Sequence, residues 1–187
     1  HGLDLIGTGE MGIGNSTAAS ALVAALTGAA PEDVAGPGTG LDTAGRRGKA
    51  RVIARALAVN RPDPGDPLGA LAAVGGFEIA GLTGVILAGA AARIPVMLDG
   101  FIAGAAALVA VRLAPPAREF LLASHRSAEP GHAVVLDALG LEPYLDLGMR
   151  LGEGTGAALG IGLARSAASI LRDMATFKSA GVSERSP

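Results

Sequence analysis

The sequence contains no cysteine and no tryptophan, one tyrosine and four phenylalanines. Without cysteine, a disulfide scaffold and a thiolate metal site are both excluded. Charge is also scarce. Only 17% of the 187 residues are Asp, Glu, Lys or Arg, and the formal net charge is −2. That balance, with a pI near 5.9, provides no basic surface for a nucleic-acid backbone. No charged leader with a cleavage site is read at the start. What is abundant is glycine, with 29 copies, within a chain that is 50% hydrophobic. So apolar a composition excludes a disordered polymer. The length fits one domain.

A mean hydropathy of +0.46 raises the question of a membrane span. A spanning helix needs about 20 mostly apolar residues. Residues 79–92 carry no charge but are too few, and Gly81, Gly84 and Gly89 dilute them. Residues 11–31 are long enough but carry Asn15, Ser16, Thr17 and Ser20 near one end. Neither stretch has an aromatic belt. Both are read as buried helices of a soluble, cytoplasmic protein. The chain enters an apolar run directly from His1, which leads us to expect a piece cut inside a domain.

Short apolar runs alternate with longer Ala-rich stretches, the pattern of βα units. Strands are predicted at 3–8, 94–98, 119–123 and 144–147. Helices are predicted over 15–27 (capped by Asn15 or Ser16 and ended by Gly28), 31–34, 42–59, 66–74, 77–92, 101–113, a segment ending near Gly140, and 157 to about 177. The helix over 77–92 is expected to be buried, and the tail after Lys178 mobile. The fold class is therefore α/β: a three-layer, mostly parallel sheet of Rossmann-like βα units flanked by Ala/Gly-rich helices. Polar, Gly-rich stretches recur where strands should end, at 9–17, 99–100, 124–131 and 152–156. In an open α/β sheet those ends form the ligand crevice. The loop 36–40 should join them and present free backbone N–H groups.

Individual motifs leave alternatives open. Gly7-x-Gly9-x-x-Gly12 formally matches a dinucleotide fingerprint. However, Glu10 lies inside the turn, where a carboxylate would repel a pyrophosphate, so a simple strand-to-helix turn is favoured. Glu153, between Gly152 and Gly154, is either a general base presented to a pocket or an acid stabilised by a helix N-terminus. Lys49 either reaches a phosphate or lies on a solvated basic helix face, and spacing alone favours the solvated face. The hydroxyls and helix start in Ser124–Gly131 suit an anion. His125 and His132 have no third ligand nearby, so no metal site is expected.

Taken together the motifs are more specific. Residues 9–17 (GEMGIGNST), 36–42 (GPGTGLD), 75–81 (GGFEIAG), 98–102 (LDGFI), 124–132 (SHRSAEPGH) and 151–157 (LGEGTGA) occur in this order. The set resembles the nicotinate-nucleotide–dimethylbenzimidazole phosphoribosyltransferases, over nearly the whole chain and in what corresponds to their C-terminal half. Ser16 stands where threonine is usual, and Pro37 where a basic residue is common. The resemblance implies that residues 1–160 belong to a large α/β nucleotide-binding domain, and that 161–187 contribute to a small helical domain. The other half would complete the benzimidazole pocket.

It further implies a glycosyltransferase of the pentosyl class, in the lower-ligand branch of cobalamin synthesis. Ribosyl phosphate would pass from nicotinate mononucleotide to 5,6-dimethylbenzimidazole, giving α-ribazole phosphate and nicotinate. Glu153 matches the general base and Glu10 a second acid near nicotinate and ribose. Lys49, with the backbone around Gly38, Gly100 and Ser127, matches the phosphate set. Gly12, Thr39, Asp99 and Leu151 fall among the remaining substrate positions. A homodimer is implied, and no cofactor or metal. Two other readings make different predictions. An NAD(P)-binding oxidoreductase would bind dinucleotide and be independent of Glu153. A non-catalytic nucleotide-binding fragment would bind mononucleotide without turnover.

Overall fold

The structure, a computed structural model, describes residues 2–183. Its sheet has three parallel strands in the order β1 (Ile6–Gly7), β2 (Val96–Leu98), β3 (Leu121–Ala123). Ile6 is in register with Val96, and Val96 with Leu121. The fully apolar β2 is buried along its length, as a central parallel strand should be. Side chains alternate between faces. Met97 meets Gly160 on one side, while Val96 meets Gly89 on the other. Helices therefore cover both faces.

Five helices separate β1 from β2: α1 (Asn15–Thr27), α2 (Pro31–Val34), α3 (Thr43–Asn60), α4 (Pro67–Val74) and α5 (Phe77–Ala91). A simple βαβ crossover would hold one helix there; this connection holds the five that the sequence pattern placed between the first two strands. Beyond β2 come α6 (Phe101–Leu113), a 3₁₀ turn (Pro115–Phe120) before β3, α7 (Pro130–Leu139) and α8 (Thr155–Asp173). Helix α6 is the hub, packed by α1, α5 and α7. It is buried from Ala103 to Ala110, and its run of alanines lets three neighbours approach closely.

Helix limits follow the local chemistry. The Asp42 and Asp66 carboxylates accept from Gly45 N (2.7 Å) and Gly69 N (2.9 Å), capping α3 and α4. Gly28 closes α1 at φ 76°. The N-cap of α1, however, is Gly14 and no side chain caps it. Asn15 turns away to donate to Glu10 instead. Helix α8 ends at Asp173, short of Phe177, and α5 is only half-buried, with Phe77 97% exposed.

The strands are shorter than their apolar runs. Pro95 has no N–H and Arg93 turns at φ 56°, so β1 has nothing to pair with before Ile6. The run 119–123 loses its first residues to the 3₁₀ turn. The fourth strand contracts to one parallel bridge, His125 with Leu145, because Pro143 and the left-handed Gly148 (φ 64°) bracket it. Of the tail expected to be mobile, residues 184–187 lie outside the described residues.

Candidate functional site

Hydroxyl side chains staple the carboxyl ends of the strands. Asp99 N donates to Thr8 Oγ1 (3.1 Å), Thr8 Oγ1 donates to Met97 O (3.2 Å) and Ser124 Oγ donates to Asp99 O (3.0 Å). Above these ends opens a cavity of about 790 Å³. Every residue expected at the site lines it: Glu10, Gly12, Gly38, Thr39, Lys49, Asp99, Gly100, Ser127, Leu151 and Glu153. Positions from one end of the chain to the other are thus brought together.

Two glycine-rich loops form one wall and lie directly on each other. A Cβ on Gly9 would come within 2.6 Å of the Gly154 backbone, so only glycine fits there. The backbone of Glu153 is left-handed, at φ 57°, between Gly152 and Gly154 at φ 79° each. For a residue with a Cβ that conformation is strained, by about 1–3 kcal/mol. It leaves the Glu153 side chain exposed at the cavity.

Glu10, on the facing loop, is half-buried. Burial raises its pKa, the Asn15 hydrogen bond opposes this, and Asp99, Glu78 and Glu153 add to the rise. The helix after this loop starts only at Asn15, and Glu10 occupies the turn where a pyrophosphate would sit. The dinucleotide reading of Gly7–Gly12 therefore finds no geometric support.

The carboxylate of Asp99 is committed to backbone. Its Oδ2 accepts from Gly154 N (3.0 Å), and its Oδ1 accepts from Gly156 N (2.7 Å) and Ala157 N (3.3 Å). It caps α8 from a distant strand end, and Gly156 is required because any side chain there would strike the His125 ring. Asp99 thereby holds the loop that carries Glu153.

Lys49 is not on a solvated face. It is 7% exposed, and its Nζ donates to Ser16 Oγ (2.9 Å) and Gly36 O (3.2 Å) at the cavity wall. The basic stripe continues outward through the exposed Arg47, Arg51 and Arg55, whereas Lys49 turns inward. Burial lowers its pKa, Glu129 opposes the shift and Arg46 adds to it.

The loop 36–40 is less open than its glycines suggest. Gly38 N donates to Glu129 Oε1 (2.8 Å), and Gly40 N and Leu41 N both donate to Pro37 O. Ser127 N likewise donates to His132 Nδ1 (2.9 Å). Both histidines are buried and face each other edge-on at 6.2 Å. Burial, then His125 and Arg126, push the pKa of His132 down to about 4. Among the described residues no cluster of three or more His, Asp or Glu could hold a metal, and no helix is long and apolar enough to cross a membrane.

Sequence reasoning missed Glu129 and Arg150, which also line the cavity. Arg150 Nη1 donates to Gly38 O, so the two side chains grip one residue from opposite sides. Glu129 lay inside a recognised motif, but an acid before a helix-opening proline gives no hint of its distant partner.

Residues 1–182 match the family model described as phosphoribosyltransferase. The nicotinate-nucleotide–dimethylbenzimidazole phosphoribosyltransferase of Desulforudis audaxviator is 63% identical over 98% of this chain and 52% of its own length. That of Geobacter metallireducens is 55% identical over 97% of this chain and 51% of its own. The crystal structure of CobT from Thermus thermophilus superposes with a TM-score of 0.92 at 52% identity, covering 98% of this chain and 55% of that one. The chain spans about half the length of the curated relatives it matches. With five of its six motifs gathered on one cavity, and a family match along nearly its whole length, the chain belongs to the phosphoribosyltransferase family.

Proposed function

We propose that this chain carries the nucleotide site and the catalytic base of a transferase that moves ribosyl phosphate from nicotinate mononucleotide to 5,6-dimethylbenzimidazole. The observation that carries the reading is the pairing of an outward-held, strained Glu153 with an inward-turned Lys49 on the walls of one cavity. An acid at one end and a buried cation at the other suit a substrate with a proton to lose at its base and a phosphate at its tail. The names of the relatives supply the substrates.

In this reading a benzimidazole nitrogen attacks C1′ of the ribose. The C1′–N bond to the pyridinium breaks, and its electron pair returns to nicotinate. The proton on the other benzimidazole nitrogen passes to Glu153. The anomeric carbon inverts. Because the leaving group is already cationic, its departure needs no strong acid. The phosphate stays on the ribose, and one lysine with backbone N–H groups is enough to hold a monophosphate. Glu10 faces the nicotinate and ribose, and Leu151 and Ile13 offer apolar surface to a flat ring. Helices on both faces of the sheet support the finer reading of residues 1–160 as part of a three-layer nucleotide-binding domain, with 161–187 serving a small helical one. A homodimer in the cytoplasm completes the reading, and sedimentation of the chain tests the dimer.

The test is product formation. The chain is incubated with nicotinate mononucleotide and dimethylbenzimidazole, and α-ribazole phosphate is measured beside a binding titration with NAD as control. Glu153→Gln should bind mononucleotide normally and lose about 10²–10⁴ in turnover, the usual worth of a positioned base. Turnover of this variant within twofold of the unmodified chain removes Glu153 from that role. Mononucleotide binding with no product from the unmodified chain selects a non-catalytic nucleotide site instead.

A further inference from the structure

Among the described residues, Glu129 is one of two, with His125, that leave a buried side-chain polar atom without a hydrogen-bond partner, and both line the cavity. Glu129 is 7% exposed. Although it stands at the N-cap of α7, its side chain makes no cap hydrogen bond there. Oε1 reaches back to accept from Gly38 N (2.8 Å), a residue 91 positions away. Oε2 is buried without a hydrogen-bond partner. A half-satisfied buried carboxylate is costly, and an acid next to an anion site would also repel the anion. Neither cost is accounted for by packing α7.

The loop it touches explains the placement. Gly38 sits at φ 54°, its N–H held by Glu129 and its C=O by Arg150. Two residues earlier, Gly36 O accepts from Lys49 Nζ (3.2 Å), while Ser16 Oγ accepts from it on the α1 side (2.9 Å). The ammonium therefore has two of its three donors fixed, and one of the two fixing atoms belongs to the pinned loop. Gly36 has no side chain where one would collide with the Glu129 carboxylate, so acid and loop are fitted to each other.

From this geometry we propose that Glu129 is a positioning residue: by holding Gly38 it fixes the 36–38 loop, and through Gly36 O it aims the third donor of Lys49 into the cavity to receive the nucleotide phosphate. The proposal rests on the reading of the cavity given above. Glu129 itself touches no substrate. Its effect is confined to ligands that carry the phosphate and depends on Lys49.

Calorimetric titration with nicotinate mononucleotide and with nicotinate riboside, which lacks the phosphate, separates the possibilities. In Glu129→Ala, affinity for the mononucleotide should fall about tenfold, as for loss of one hydrogen bond to a charged group. Affinity for the riboside should change less than twofold. Glu129→Gln, whose amide oxygen still accepts from Gly38, should recover most of the loss. Glu129→Asp, one methylene too short, should not. Adding Glu129→Ala to Lys49→Ala should cause no further loss. Thermal unfolding verifies that each variant is folded, and if Glu129→Ala is not, the Gln and Asp variants decide. Equal losses for both ligands, tighter mononucleotide binding on removing the acid, or full additivity with Lys49→Ala would each overturn the assignment while leaving the site reading intact. If the unmodified chain binds no mononucleotide, the site reading falls and this assignment with it.

Discussion

Replacing Asp99 by alanine tests whether this buried acid is a structural clamp. Its carboxylate accepts three backbone N–H groups, from Gly154 (3.0 Å), Gly156 (2.7 Å) and Ala157 (3.3 Å). Gly156 and Ala157 are buried, so water cannot replace the lost acceptor there. A stranded buried donor costs about 1–3 kcal/mol. The 3.3 Å contact contributes least, and Gly154 is partly accessible. A negative charge lost from the first turn of α8 adds roughly 0.3–1 kcal/mol. Together these give about 3–5 kcal/mol. For a chain of this size each kcal/mol moves the melting point by roughly 2–4 °C, so a fall of about 10 °C is expected. Asp99→Asn keeps one acceptor but turns an amide N–H₂ toward a backbone donor, and should lose about half as much. The backbone hydrogen bonds of residue 99 to Thr8 and Ser124 survive both changes, so the difference isolates the carboxylate. The assay is thermal unfolding by circular dichroism, with amide exchange at Gly154, Gly156 and Ala157 as the local readout. If Asp99→Ala melts within about 2 °C of the unmodified chain with these amides still protected, the clamp is refuted.

Three further outcomes are expected. Glu153→Gly should relieve the left-handed strain at φ 57° and stabilise the chain by up to about 1 kcal/mol while abolishing the proposed base; a lower melting point would show that Glu153 makes a stabilising contact. Gly156→Ala forces a methyl group into the His125 ring and should destabilise by about 1–3 kcal/mol or more, read from denaturant midpoints; a midpoint equal to that of the unmodified chain would deny the tight fit. His132 is held neutral by burial, down to a pKa of about 4 from 6.5. The unfolded chain therefore binds a proton that the folded chain refuses between those values, and stability falls as pH drops through that window, by about 3 kcal/mol in all. His132→Asn keeps an acceptor for Ser127 N without titrating, and should flatten the slope of stability against pH between 6.5 and 4.

Much of the fold was legible because its signals are local. Asp42 and Asp66 each precede a helix and cap it, Gly28 ends α1, and Pro31 opens α2, since each residue acts within its own turn. Strand lengths were not legible. A strand is as long as its partner allows, and the limits on β1 come from Pro95 and Arg93, far along the chain. The N-cap of α1 failed for a related reason: Asn15 has the right chemistry for capping but is drawn to Glu10, an acid whose position the turn alone decides.

The acids around the cavity show where reading by residue type stops. Glu10, Asp99, Glu129 and Glu153 all line it, and in sequence each is simply an acid beside glycine, proline or an apolar residue. Their tasks are separated by what the backbone offers each one. Asp99 and Glu129 are met by N–H groups from loops 55 or more residues away, and so become parts of the frame. Glu153 sits in a left-handed turn at the open cavity, with its side chain exposed, which is what the proposed base requires. A carboxylate's availability for chemistry is thus set by which backbone donors reach it first. The resemblance to a family points to Glu153 by its position, and the fold sets it apart from the two acids whose carboxylates are bonded to backbone.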